Sequence, residues 1–289
     1  MKGFGSIFRR RRSRDTDSSG TLSTLLSFEN LRNTRDLGGM RTRDGQYIRP
    51  GMLFRSGYLS ELTPADIDRL SGLAGVIVDL RSDGERAEKP DTEIPGAEVI
   101  HLPVIGRLTA GITREEQSDR DAIQNLLLKP DEAKEYMCRM YRAFAAGQAV
   151  EQYQAFLQIL LREERPVLWH CTAGKDRAGI AAVLTEEILD IPRDVIFADY
   201  LATNQYLAGD IRFLTEFIKE KTHADSSLAD ESLRYLFGAD ESYLKAYYET
   251  VEEQYGSIQH FIRDGLHLKE EDISVMKKKY LAAAPLPGA

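Results

Sequence analysis

Only two cysteines occur in 289 residues, Cys138 and Cys171, and neither belongs to a Cys-x-x-Cys pair. Two such distant thiols cannot frame a disulfide-stapled fold or a zinc site, and a reducing compartment is expected. No apolar run is long enough to cross a bilayer. The basic start of the chain runs into the polar residues 15–21 instead of the apolar core of a secretory signal. The sequence therefore predicts a cytoplasmic protein, with export by a signal-less route left open. Internal repeats are lacking too, so a solenoid or propeller is not expected.

Charge is short on one side. The net charge is −8, yet residues 1–14 hold Lys2, Arg9, Arg10, Arg11, Arg12 and Arg14 with no acid, so the rest of the chain is more acidic still. So acidic a body argues against nucleic acid as a partner. The basic stretch has three readings: a solvated arm, peripheral contact with an anionic membrane aided by Phe4, Ile7 and Phe8, or part of a targeting segment.

At 42% hydrophobic content the chain has enough apolar mass for one sizeable core. Residues 1–26 read as a disordered tail and 27–289 as one domain. Residues 75–80, 99–102 and 166–169 are short apolar runs suited to buried strands, separated by helical patterns. The fold class is α/β, with a central, mostly parallel sheet flanked by helices and a helical C-terminal part. Thr63, Pro64 and Asp66 carry a helix-start pattern. Between about 104 and 147 lies a helical insertion, read either as helices packed on the core or as a lid over a site.

Residues 170–179 read HCTAGKDRAG, at the junction of an apolar run and a helical pattern. A cysteine and an arginine six residues apart would co-occur by chance about one time in twenty. The flanking residues make the pattern specific. In a strand–loop–helix setting, backbone N–H groups and the positive helix end form an anion nest, with Cys171 at its floor. There a thiol normally titrating near ~8.5 is depressed toward a standing thiolate, able to attack phosphorus directly. Arg177 offers a planar, two-pronged donor to phosphoryl oxygens. Thr172, Ala173, Gly174, Lys175 and Ala178 complete the phosphate-binding loop. A Walker nucleotide loop fails, because Trp169 replaces its first glycine and Asp176 follows Lys175 where Ser or Thr belongs. A rhodanese loop is one residue shorter.

At these residues the chain resembles the bacterial tyrosine phosphatases with an HCxxGKDR signature, relatives of dual-specificity and phosphoinositide phosphatases. The resemblance spans about residues 27–282, through Asn33, Arg35, Asp36, Gly38 and Gly39, then Gly51 and Phe54 to Ser56, then Asp79, Arg81 and Glu85, and downstream through 198–201 and 255–257. It implies a cysteine-phosphatase fold and hydrolysis through a phosphocysteine, with Cys171 as nucleophile and Arg177 as phosphate clamp. No metal or organic cofactor is implied. Substrates would be phosphotyrosine proteins, phosphoserine or phosphothreonine, or phosphoinositides, the last favoured if Lys175 adds a second cation beside Arg177. An ion pair of Lys175 with its neighbours is the other reading.

Two departures from the family pattern stand out. Gly106 occupies the place where an aspartic acid would protonate the leaving oxygen, a role worth 10²–10⁴-fold. Asp176 is the first substitute, ahead of Asp79, Asp83, Glu115 and Glu116. Ala178 stands where many relatives carry a hydroxyl that stabilises the departing thiolate. These two positions also admit a different class, a pseudophosphatase that binds phospho-ligands without turnover. Supporting roles fall to His170, expected to orient the loop and favour the thiolate, and to Asp79 and Arg81, which otherwise form a strand-end turn.

Overall fold

The computed structural model describes residues 22–104, 125–224 and 226–284. Its centre is a six-stranded sheet in the order β1 (Thr24–Leu25), β2 (Arg35–Asp36), β4 (Leu53–Ser56), β7 (Val167–His170), β5 (Val76–Asp79), β6 (Glu98–His101). The four strands from β4 to β6 run parallel, and β1 and β2 add an antiparallel margin. A small second sheet joins β3 (Tyr47–Ile48) to β8 (Leu281–Ala282), tying the chain's end to its start.

Both faces of the parallel strands are covered. Side chains alternate across a strand, so Val167 and Trp169 of β7 point into the main core with Val76, Val78 and Leu53. Leu168 points the other way, into a second cluster with Phe54, Ile77, Leu59 and Leu70. Leu70 belongs to helix α1 (Pro64–Ser71), where the Thr63 side chain accepts from the Asp66 N–H at 3.2 Å and Pro64 occupies the first turn, as the sequence pattern predicts. Helix α2 (Asp83–Glu88) follows β5 directly.

Helices α3 (Pro130–Ala143), α4 (Gly147–Arg162) and α5 (Arg177–Ile188) line the main core. All twelve residues of α5 are buried, Arg177, Glu186 and Glu187 among them, so the helix is enclosed on every side. Helices α6 (Arg193–Tyr206), α7 (Ala208–Thr222), α8 (Ser227–Phe237), α9 (Glu241–Tyr255) and α10 (Glu270–Tyr280) make up the helical C-terminal part.

Residues 105–124, with Gly106, Glu115 and Glu116, lie outside the described residues, as do 1–21. Helix α3 packs into the core, with Met137 and Tyr141 fully buried and contacts to α8 and α9. That is core packing, and the lid alternative does not suit α3. No described helix is long and apolar enough to cross a membrane.

Candidate active site

Strand β7 is bonded on both sides, by β4 and by β5, and all four of its residues are buried. It ends at His170 and delivers Cys171, 2% exposed and unpaired in any disulfide, to the C-terminal edge of the sheet. Residues 172–176 bend tightly before α5 begins at Arg177. The bend depends on Gly174: its φ is +68°, and a Cβ there would lie 2.5 Å from the Ser56 carbonyl oxygen. Only glycine meets both conditions.

Arg177 reaches across to Glu85 of α2 in a fork-to-fork pair. NH1 donates to Oε2 and NH2 to Oε1, both at 2.6 Å, and NH2 also lies 3.1 Å from the Thr172 hydroxyl. That hydroxyl donates in turn to Glu85 Oε1. Glu85 is fixed from its own side by a capping box, accepting from the Ser82 N–H at 2.9 Å. Burial alone would raise the Glu85 carboxyl, but the Arg177 hydrogen bonds and charge outweigh it and bring the group down to about 2. Burial likewise opposes the Arg177 charge, and Glu85 reverses the balance so that the guanidinium is held above its ordinary value. No described group accepts from Arg177 Nε. The sequence named Glu85 only as part of the family resemblance; the Ser82–Glu85 spacing is a local capping-box signal, whereas the Arg177 partner 92 positions away leaves no local sign.

Asp176, at the N-cap of α5, does not cap the helix. Its Oδ1 accepts from the Tyr141 hydroxyl of α3 at 2.7 Å. Tyr141 is also 2.7 Å from the Tyr200 hydroxyl of α6, and since its own hydrogen goes to Asp176, Tyr200 must be the donor in that bond. Burial first, and then the Asp176 charge, push both phenols well above their ordinary range. The carboxylate is thus oriented by a two-tyrosine relay, its Oδ2 without a partner among the described residues.

The other predicted residues take more structural positions. Lys175 is buried and donates to the carbonyls of Leu236 and Gly238 at 3.1 and 3.0 Å, with Asp176 Oδ1 3.5 Å away. Its charge is used to pin the end of α8 to the loop, and the expected second phosphate-facing cation gives way to an anchor. Asp79 binds Arg81 through both oxygens, at 2.9–3.0 Å, and Arg86 lies 3.2 Å from Oδ2. Fully buried and doubly committed, Asp79 is no proton donor to a leaving group. Asp83 is 89% exposed on its side chain, facing His101 at 3.7 Å. Ala178 is buried in the first turn of α5, its carbonyl accepting from Trp169 Nε1 at 3.0 Å.

His170 faces two ways. Nδ1 lies 3.3 Å from the Cys171 carbonyl, and Nε2 lies 3.2 Å from Asp91 Oδ2 and 3.7 Å from Asp79 Oδ1. Burial would raise Asp91, but His170 and then Arg81 hold it below the usual carboxylate range. Asp79, Asp91 and His170 are the one grouping among the described residues with metal-ligand spacing. Arg81 already fills it with cationic charge, NH2 standing 2.9 Å from Asp79 and 2.6 Å from Asp91.

A thiol on the residue just past the end of a doubly paired parallel strand, facing a loop that closes on a carboxylate-held arginine, is the arrangement of the cysteine-dependent phosphatases. A model of the tyrosine phosphatase family matches residues 26–282, and the chain belongs to that family. It is 31% identical over 255 residues to the triple specificity protein phosphatase PtpB of Mycobacterium tuberculosis, covering 80% of this chain and 90% of the relative. Over 260 residues it is 30% identical to a Cupriavidus necator protein provisionally named a tyrosine-protein phosphatase, covering 89% and 88% respectively. A tyrosine-protein phosphatase of Nostoc commune is 29% identical over 167 residues, covering 54% of this chain and 49% of the relative. The chain is a tyrosine phosphatase-type hydrolase of phosphoric monoesters, and its substrates are phosphorylated.

Proposed function

We propose that hydrolysis proceeds through a phosphocysteine on Cys171. The thiolate sulfur attacks phosphorus in line, an S–P bond forms, and the P–O bond to the leaving group breaks. Arg177 and the loop N–H groups take the equatorial oxygens. Asp176 gives its proton to the leaving oxygen; water then attacks phosphorus, passing a proton back to Asp176 as the S–P bond breaks, which returns the thiolate and releases inorganic phosphate. The observation that carries this reading is the Arg177–Glu85 pair, which holds the guanidinium over the loop before any ligand arrives. Asp176 is preferred as the acid because its Oδ2 is uncommitted and its side chain remains 22% exposed, whereas Asp79 has neither property.

The substrate range proposed is phosphotyrosine with phosphoserine, phosphothreonine and phosphoinositides, supported by the relative named for triple specificity. Lys175 does not contribute to that range, since its amine is spent on carbonyls. We place the reaction in the cytoplasm, where the thiolate stays reduced, with the basic residues 2–14 drawing the enzyme to anionic membrane surfaces. Release of phosphate from phosphopeptides and phosphoinositides, by wild type and by Cys171→Ser, tests the mechanism. Serine fills the same space but supplies no thiolate, so turnover should vanish while vanadate, an oxyanion mimic, still binds. Retention of more than a few per cent of turnover rejects the phosphocysteine.

A further inference from the structure

The loop of residues 171–175 has its carbonyls turned outward, the first toward the neighbouring His170 and the rest toward donors from distant parts of the chain. Cys171 O accepts from His170 Nδ1 at 3.3 Å, Thr172 O from the Tyr58 N–H at 3.1 Å, and Ala173 O from Asn33 Nδ2 at 3.0 Å. Gly174 O accepts from Arg55 NH2 at 2.6 Å, and the same nitrogen lies 3.4 Å from Lys175 O. In a trans peptide the C=O and the following N–H point in opposite directions, and no described peptide is cis. Each outward carbonyl therefore turns the next N–H inward. The N–H groups of residues 172–176 donate to no described group, so they stand ready for an anion.

Asn33 is the telling member. It is a buried non-glycine residue in the left-handed region, φ +52°, and its Oδ1 has no partner. Such backbone and such an orphan acceptor each cost stability and persist where the surroundings impose them. The one bond its side chain makes is to the loop. Arg55 is likewise buried, only 1% exposed, and braced on its far side by Asp199, 3.7 Å from NH1.

We infer that Asn33 and Arg55 are positioning residues for the phosphate-binding loop: by fixing the Ala173 and Gly174 carbonyls they aim the N–H groups of Gly174 and Lys175 at the phosphoryl oxygens. The inference rests on the hydrolase reading above. Neither residue touches substrate. Both act through the peptide planes, so that the nest is assembled before binding and needs no reorganisation when charge develops.

The test uses the full chain with p-nitrophenyl phosphate as substrate and vanadate as inhibitor. Asn33→Gly keeps the backbone conformation and deletes the donor; Asn33→Asp keeps the shape and replaces the donor with an acceptor. Both should weaken vanadate inhibition about tenfold or more, the scale of one hydrogen bond to a charged group, and lower kcat/KM by a similar factor. Arg55→Met should do the same, with Arg55→Lys restoring part of the loss. Leu70→Ala, a core truncation in the other cluster, sets the baseline: it should lower the thermal midpoint while leaving the vanadate inhibition constant unchanged. If the Asn33 variants lose thermal stability but keep wild-type vanadate inhibition, their role is structural and the inference falls alone. If the wild type neither turns over nor binds vanadate, the hydrolase reading falls and takes this inference with it.

Discussion

A guanidinium can be bound along more than one edge, and Arg177 uses the NH1–NH2 edge for Glu85 while Nε stays uncommitted. Lysine offers no such division, so Arg177→Lys should reduce p-nitrophenyl phosphate turnover by at least a hundredfold, and near-normal turnover would make Arg177 structural. Asp176 poses a different question at the same scale. If it protonates the leaving oxygen, Asp176→Asn should slow alkyl phosphates, with poor leaving groups, far more than p-nitrophenyl phosphate; equal losses on both would remove it from that role. Tyr141→Phe should reproduce the pattern more weakly, because it frees the carboxylate without deleting it. Ala178 leaves the departing thiolate without a side-chain hydroxyl. Rapid mixing should then show a burst of nitrophenol followed by a slow steady state, and Ala178→Thr should raise that steady state by about one neutral hydrogen bond, 0.5–1.5 kcal/mol. A single phase and an unimproved threonine variant would locate the slow step elsewhere.

Among the elements, α2 is small but consequential, because its capping box holds the carboxylate that holds Arg177. The Glu85 carboxyl falls from an ordinary 4.5 to about 2 on folding. A depressed carboxyl stabilises the fold fully above its unfolded value and loses that contribution as pH drops from about 4.5 through about 2. The contribution is on the order of 3 kcal/mol, at about 1.4 kcal/mol for each unit. Thermal midpoints measured from pH 7 to pH 3 should therefore fall more steeply for wild type than for Glu85→Gln, which starts lower because it leaves Arg177 without its counter-ion. Parallel curves would show that the pair is energetically idle.

What the sequence disclosed follows from distance along the chain. Cys171, Arg177 and Gly174 lie within one turn-sized stretch, where spacing alone dictates geometry, and the strands at 75–80, 99–102 and 166–169 announce themselves as apolar runs. The family resemblance located the same blocks. Glu85, Asn33, Arg55 and Tyr141 come to the loop from 35 to 140 positions away, and residue type gives no hint of which group each will meet. Lys175 shows the converse hazard: it stands within the motif, yet the nearest acceptors for its amine are carbonyls at the end of α8, which local pattern does not reveal.

For the molecule as a whole, the parallel strands are the most deeply covered part, and β7 lies at their middle, paired on both edges and packed on both faces. Amide hydrogens of Val167–His170 should exchange with deuterium only through global unfolding, while those of α7, which contains no buried residue, exchange by local opening. The reactive sulfur thus hangs from the slowest-opening segment of the chain. An alkylating reagent that modifies Cys171 must be reading the native nest, so its rate should be indifferent to mild denaturant and slowed by competing phosphate. Cys138, buried on α3, should be labelled only as the fold opens, and the ratio of the two labels becomes a running measure of how much of the protein in a preparation is folded.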